Sequence, residues 1–282
     1  MSNESNKQTQ QINQNNTVQK KKNIKTTIRN LLVLVLVAAI SIVGTLAFLN
    51  KQTDKKVNTF TGSAGINLTL TEPNWDSTGK TMAENYTPKM EIPKDPTLTN
   101  TSTTTDSDEW VALRVDYTYY DGAQNVATTR DDLETNLIET LDIDTSKWIK
   151  LITKGTSGGA DTMYDIYLYK NKLPQTSSSN SITLFDKVKI KKQEDLAGKT
   201  LGGSPGTAVC DANGKYINFN ITLFGAAIKH DASISSTLTE LDNAATIGEI
   251  DMDNLTAAAS ASDSRKIALA LVDLLKELPT TP

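Results

Sequence analysis

Trp110-Val111-Ala112-Leu113-Arg114-Val115-Asp116-Tyr117-Thr118-Tyr119-Tyr120 is the stretch whose reading decides the fold. Val111, Leu113, Val115, Tyr117 and Tyr119 share one parity, and Arg114, Asp116 and Thr118 share the other. A strand points successive side chains to opposite faces, so this alternation predicts a strand with one apolar face turned to a core. The same period recurs in Ile66, Leu68 and Leu70, which alternate with Asn67 and Thr69. In Ile217–Leu223, Ile217, Phe219, Ile221 and Leu223 alternate with Asn218, Asn220 and Thr222. Shorter candidates are Trp148–Ile152, Tyr164–Tyr169 and Ile182–Ile190. Many short strands separated by Gly, Pro, Ser and Thr predict a mainly β chain, an antiparallel two-sheet, jelly-roll-like sandwich.

Two stretches break the period of two. Arg130–Leu141 puts Leu133, Leu137, Ile138 and Leu141 on one helical stripe, with Thr128 or Thr129 before it as cap. Near the end, Ile267, Leu271, Leu274, Leu275 and Leu278 mark a second stripe, capped by Ser262 or Ser264 and stopped by Pro279. The expected architecture is a sandwich with one or two inserted or peripheral helices and a C-terminal amphipathic helix. Between the last strand and that helix, Asp231–Ala261 is rich in Ser, Thr, Ala and acids. It reads as loosely packed, with a short helix around Leu238–Ala245.

Upstream of the sandwich the character of the chain changes. Lys20, Lys21, Lys22, Lys25 and Arg29 precede the apolar run Leu31–Leu49, 19 residues long, in the order of an export signal. Thr45-Leu46-Ala47 places small residues at the first and third positions, which predicts cleavage between Ala47 and Phe48. The same run, at about 1.5 Å per residue, spans roughly 28 Å and is long enough for a retained anchor. Ser41, Gly44 and Thr45 break its apolar character and favour cleavage. In both readings the basic side stays in the cytoplasm, residues 31–49 enter the membrane at least transiently, and the body is exported. The organisation read from the chain is a polar and basic leader (1–30), a signal hydrophobic region (31–47), a sandwich domain (48–230) and a Ser/Thr/Ala-rich segment ending in the helix (231–282).

Gly44-Thr45-Leu46-Ala47-Phe48, a short polar stretch, Asn58-Thr59-Phe60-Thr61-Gly62 and Ile66-Asn67-Leu68-Thr69-Leu70 resemble the alternate signal peptide served by a dedicated signal peptidase. Its carriers are the TasA/camelysin family of exported Gram-positive proteins, among them fibre subunits of biofilm matrix. Residues 1–19, rich in Gln, Asn, Ser and Thr, are an addition to that pattern. Within the body, Tyr86-Thr87-Pro88 through Leu98-Thr99-Asn100, followed by Glu109–Val115, resembles the family's strand pair, with Ser102 where a glycine is usual. Ser181–Val188 and Ile217–Ala227 are similar to two further core segments, so the resemblance spans roughly residues 31–230 and leaves out the terminal helix. It implies a fibre-forming matrix protein whose partners are itself or related matrix proteins.

Composition bounds the partners. The chain carries 29 basic and 33 acidic residues, and six of the former but one of the latter lie before Phe48, so the exported part holds 23 against 32, a net charge of −9. An acidic body argues against nucleic acid and against an anionic membrane surface as partner. Cys210 is the one cysteine, so no intrachain disulfide forms, and its setting before a strand reads as that of a small buried residue.

Catalytic patterns are missing. His230 is the one histidine, so neither a His-Glu-x-x-His zinc site nor a three-His site can be assembled, and it reads as a solvent-exposed residue at a strand end. No Gly-x-Ser-x-Gly elbow is present. Gly79-Lys80-Thr81 and Gly198-Lys199-Thr200 lack the upstream glycine of a phosphate loop, where Asn74 and Gln193 stand. Gly155–Gly159 and Gly202–Gly206 read as turns. Asp142-Ile143-Asp144 and Glu249–Asn254 cluster carboxylates without the spacing of a calcium loop, which leaves the metal question open and solvated acidic loops favoured. Leu278–Pro282 lacks the glycine of a sortase signal.

No cofactor and no enzymatic activity are expected. The sequence predicts a secreted or cell-surface structural protein that self-assembles into fibres by strand exchange at its processed N-terminus. The alternative is an anchored or secreted binding module that holds fibres or a ligand, with the terminal helix as docking surface. A camelysin-like surface peptidase is the remote alternative.

Overall fold

In a computed structural model of the chain, the strand carrying Arg114 is central to a five-stranded sheet, the largest among the described residues. The structure describes residues 58–61, 66–104, 107–122, 124–151, 153–154, 164–175, 178–203, 205–212, 214–231, 238, 250–251 and 261–276, all within the unit Lys51–Pro282. The chain opens with β1 (Asn58–Thr61) and β2 (Asn67–Thr71), then a π-helical turn (Trp75–Gly79) that runs into α1 (Lys80–Ala83). β3 (Glu91–Pro93), β4 (Thr97–Asn100), β5 (Glu109–Tyr120) and β6 (Asn125–Thr128) follow, then α2 (Arg130–Asn136). Next come β7 (Trp148–Leu151), β8 (Thr153–Lys154), β9 (Tyr164–Tyr169), β10 (Ser181–Thr183), β11 (Lys187–Lys189) and α3 (Gln193–Leu196). The last elements are β12 (Thr200–Leu201), β13 (Thr207–Ala208), β14 (Phe219–Lys229), β15 (Ile250–Asp251) and α4 (Asp263–Lys276).

The fold is mainly β with several antiparallel sheets, peripheral helices and a C-terminal helix, as the alternation predicts. One sheet has the order β1-β2-β4-β10 and the other β14-β5-β9-β7, with β6 alongside the second half of β5. Leu68, Leu70 and Leu98 of the first sheet meet Val111, Leu113, Val115 and Tyr117 of the second in one core. The outward residues of β2, β4 and β10 are hydroxylic: Thr97 and Thr183 meet at 2.8 Å and Thr99 and Ser181 at 2.9 Å, cross-strand pairs of the kind that favour a sheet. Gly79 is the residue that lets the π-helical turn close on β3, because a Cβ there would stand 2.0 Å from the Pro93 carbonyl oxygen. Lys94 beside it pairs with Glu72 at 2.7 Å and lies over the Trp75 ring.

The other face of the five-stranded sheet is where the structure departs from the sequence reading. Arg114, Asp116 and Thr118 are expected on a solvated face, yet all three are buried, Arg114 completely. α4 meets this face at Arg114. Its Ile267, Leu271, Val272 and Leu275 pack on Trp110, Ala112, Ile166, Leu168 and Ala226. A 14-residue helix is marginal in isolation, so packing supplies most of its stability. Ser262 caps it, accepting from the Arg265 amide at 3.3 Å. The guanidinium of Arg114 is satisfied within the layer: Nε and Nη2 donate to the Asp116 carboxylate at 2.6 and 2.7 Å, and Nη1 donates to the Leu275 carbonyl at 3.0 Å. The rings of Tyr164 and Phe224 flank it, 4.0 and 5.4 Å from the guanidinium carbon.

Three further expectations are corrected. The helix expected over Arg130–Leu141 ends at Asn136, because Glu139 N and Lys191 N bond across to Lys189 and Leu137 and draw the chain beside β11. Its start holds: Thr129 accepts from the Asp132 amide, and Leu133, Leu137, Ile138 and Leu141 are all buried. Ile182–Ile190 forms two strands in different sheets, since Leu184 and Phe185 both enter the same core and consecutive residues of a continuous strand point to opposite faces. β4 and β5 do not pair with each other, as the resemblance implies, but stand in opposite sheets. The helix expected around Leu238–Ala245 lies outside the described residues except for Leu238, which is buried and whose amide donates to the Lys170 carbonyl at 2.7 Å.

Replacing Arg114 by Ala strands Asp116 under α4 without its partner. The expected loss is about 3–5 kcal/mol of unfolding free energy, read as a lower urea midpoint with an unchanged slope.

Candidate assembly edge

β14 runs antiparallel to β5 over its whole length, Phe219 opposite Tyr119 through Lys229 opposite Glu109. In such a ladder every second residue turns its N–H and C=O away from the partner. The His230 amide donates to Asp108 O and the Tyr120 amide to Asn218 O, which fixes the even-numbered residues of β14 as those bonded to β5. The main-chain groups of Phe219, Ile221, Leu223, Gly225 and Ala227 therefore point outward, and among the described residues no strand meets them. Natural edges are blunted by charge, proline or brevity. β14 has none of these before Lys229: Phe-Asn-Ile-Thr-Leu-Phe-Gly-Ala-Ala-Ile carries no ionisable residue and no proline. α4 lies on its face, through the even-numbered side chains Phe224, Ala226 and Ile228.

The N-terminal strand arrives on the same side of the sandwich. β1 is the edge strand of the four-stranded sheet, and both β1 and β2 lie beside β14. The residues on which processing is expected, Thr45, Ala47 and Phe48, and the hydrophobic run 31–49, lie outside the described residues. Among the described residues no helix is long and apolar enough to cross a membrane.

A buried polar network ties the start of β2 to the start of β5. Asn100 Nδ2 donates to the carbonyls of Ser107 (2.8 Å) and Leu173 (3.0 Å), and Asn100 Oδ1 accepts from the Ser102 amide at 3.0 Å. The Asn67 amide donates to Ser102 Oγ at 2.8 Å, and Ser102 Oγ donates to Glu109 Oε1 at 2.8 Å. Glu109 is fully buried and its Oε2 has no hydrogen-bond partner. Burial pushes its carboxyl up to about 7, against the hydrogen bond from Ser102. Sequence reasoning passed over this residue. The signal was its parity: Glu109 shares the register of Val111 and Leu113, so it had to face the core.

The remaining candidates are placed as follows. His230 is not solvent-exposed: its ring packs 5.2 Å from that of Trp110, and its Nε2 is buried without a partner, as is Trp110 Nε1. Cys210 is half-buried and bridges Tyr216 through the backbone. Asp144 accepts from Ser146 within its own turn, and hydrogen bonds from Ser146 and Lys147 hold its carboxyl below the usual range. Gly202 and Gly203, at φ of 82° and 80°, make the turn between β12 and β13. Gly155–Gly159 lies outside the described residues, as do Glu249 and residues 252–254. Among the described residues no group of three His, Cys, Asp or Glu stands where it could hold a metal ion.

No family model matches the chain, and neither a curated protein nor a solved structure matches it.

Asn100→Ala removes three hydrogen bonds from a buried site, leaving the Ser107 carbonyl without its donor and the Ser102 amide without its acceptor, while the Leu173 carbonyl keeps the Glu109 amide. The expected cost is about 2–3 kcal/mol, measured as a fall in thermal or urea stability.

Proposed function

We propose that this chain is an exported structural protein that polymerises by strand donation: residues 48–57, freed by cleavage after Ala47, add to the outer side of β14 in a neighbouring copy. The observation that carries the reading is the edge of β14, without charge from Phe219 to Ile228 and with no strand paired to its outer side among the described residues. Ten residues from Phe48 to Val57 extend roughly 33 Å at about 3.3 Å each, a length that suits that edge. The donated strand gains main-chain hydrogen bonds, and its own sequence demands little of the receiving face. Charge favours the match: the segment holds Lys51, Lys55 and Lys56 against Asp54, while the exported part as a whole is net −9. A contact between one copy's N-terminus and another copy's sheet is head-to-tail and does not close, so it propagates as a filament. The resemblance to the TasA/camelysin family at residues 44–70 supports the same reading. The stripe of α4 that a docking module would offer is buried against the sheet, which takes support from the alternative.

Mass spectrometry of the protein recovered outside the cell should find a chain beginning at Phe48. The mature chain should form filaments visible by electron microscopy, and deletion of Phe48–Val57 should leave a folded monomer that forms none. Filaments from the deleted protein, or an intact chain confined to the membrane fraction, would overturn the proposal.

A further inference from the structure

Glu109 has a position that structure alone does not require. It begins β5, it is buried completely, and one of its oxygens is bonded to nothing. Its single side-chain partner, Ser102 Oγ, is also the acceptor for the Asn67 amide, and Asn67 is the first residue of β2. The carboxyl is therefore joined through one hydroxyl to the point where the N-terminal hairpin β1–β2 meets the sandwich. Thr61 pairs with Asn67 on the other side of that point. We propose that Glu109 is a proton-operated latch on this hairpin: neutral, it holds the start of β2 on the sandwich, and ionised, it releases it.

The charges around it do not neutralise an ionised carboxylate. On its own strand end, Asp108 carries like charge and is itself engaged by Lys172 Nζ and the Gln175 amide. Lys172 is the nearest cation from the segment after β9, and it is taken by Asp108. From β14, Lys229 stands opposite Glu109 in register but is exposed, and the His230 ring packs on Trp110. From the four-stranded sheet and the loop after it, Asn67, Asn100, Ser102 and Ser107 face the site, none of them titratable. A neutral carboxyl leaves one weak polar group unpaired, whereas an ionised one leaves a buried charge with only the Ser102 hydroxyl and the Asn67 amide to support it, which do not offset its burial. Relief comes from letting water in at the end of β2, which is the end that opens.

The sign follows from linkage. The folded protein holds this proton more tightly than the unfolded chain, so the stability it brings is complete below about 4.5 and is lost as pH rises to about 7. Across that window one proton changes the opening equilibrium by up to about tenfold per pH unit. The latch belongs to the folded monomer and stands whether or not the chain forms fibres.

The test is urea unfolding of the mature chain between pH 4.5 and 8, together with amide hydrogen exchange over Asn67–Thr71 corrected for the intrinsic pH dependence of exchange. Wild type should lose stability toward neutral pH, with protection falling first in Asn67–Thr71. Glu109→Gln, which cannot ionise, should keep both nearly constant. Equal pH dependence in the two proteins, or loss of protection elsewhere first, overturns the latch. Should Glu109→Gln fail to fold, carbon-13 NMR of the wild-type Glu109 carboxyl decides the matter: titration near 7 supports the proposal and titration near 4.5 overturns it.

Discussion

A guanidinium shut between a sheet and a helix constrains everything around it. Arg114 is without solvent contact, and its three bonded nitrogens reach Asp116 two residues away and the Leu275 carbonyl 161 residues away. The helix cannot leave the sheet without opening a charged pair and an apolar layer together. The pair cannot be kept without the helix to seal it, since water would compete for both charges. This couples the last described element to the central strand, and it makes the sandwich a three-layer structure: four-stranded sheet, five-stranded sheet, helix. The buried pair itself is no great source of free energy. Its effect is to specify which stretch of chain lies on this face and where the end of the helix stops.

β5 thus carries a buried ionisable group on each face, and the two are treated differently. Arg114 has a fixed counter-ion, a carbonyl acceptor and two aromatic faces, so its guanidinium is partnered on every side the structure shows. Glu109, near the other end and on the opposite face, has one hydroxyl and an oxygen with no partner. The first arrangement locks a layer. The second is stable in one protonation state and uncomfortable in the other. Strain of this kind sits at the root of the β1–β2 hairpin.

The strands were legible because their apolar residues recur every second position, and the parity of Trp110–Tyr120 or Tyr164–Tyr169 transfers directly to the fold. The face of β5 bearing Arg114 was not legible. Arg, Asp and Thr on one parity look solvated until a helix more than a hundred residues later meets that face at Arg114, and no local pattern announces that pairing. The same limit explains α2: Leu137, Ile138 and Leu141 have helical spacing, but the backbone found a better partner in β11. Ser102 is instructive in another way. It stands where the resembled pattern has glycine, and its hydroxyl is the link between Asn67 and Glu109. A departure from a pattern located the buried network, although only the geometry gave it meaning.

An open edge such as that of β14 must be either hidden or used, for a long apolar strand with free main-chain groups pairs with whatever extended chain it meets. Two copies could pair β14 to β14, an isologous contact that closes as a dimer. That arrangement brings together two bodies of net charge −9, and it must accommodate β1 and β2, which lie beside each edge. A donated segment from residues 48–57 brings three lysines to one aspartate and no folded body of its own directly against the edge. It meets the same unpaired N–H and C=O groups with attraction where the dimer meets repulsion. Hydrogen bonding alone does not distinguish the two pairings, and on the proposed reading it is electrostatics that favours the one that propagates.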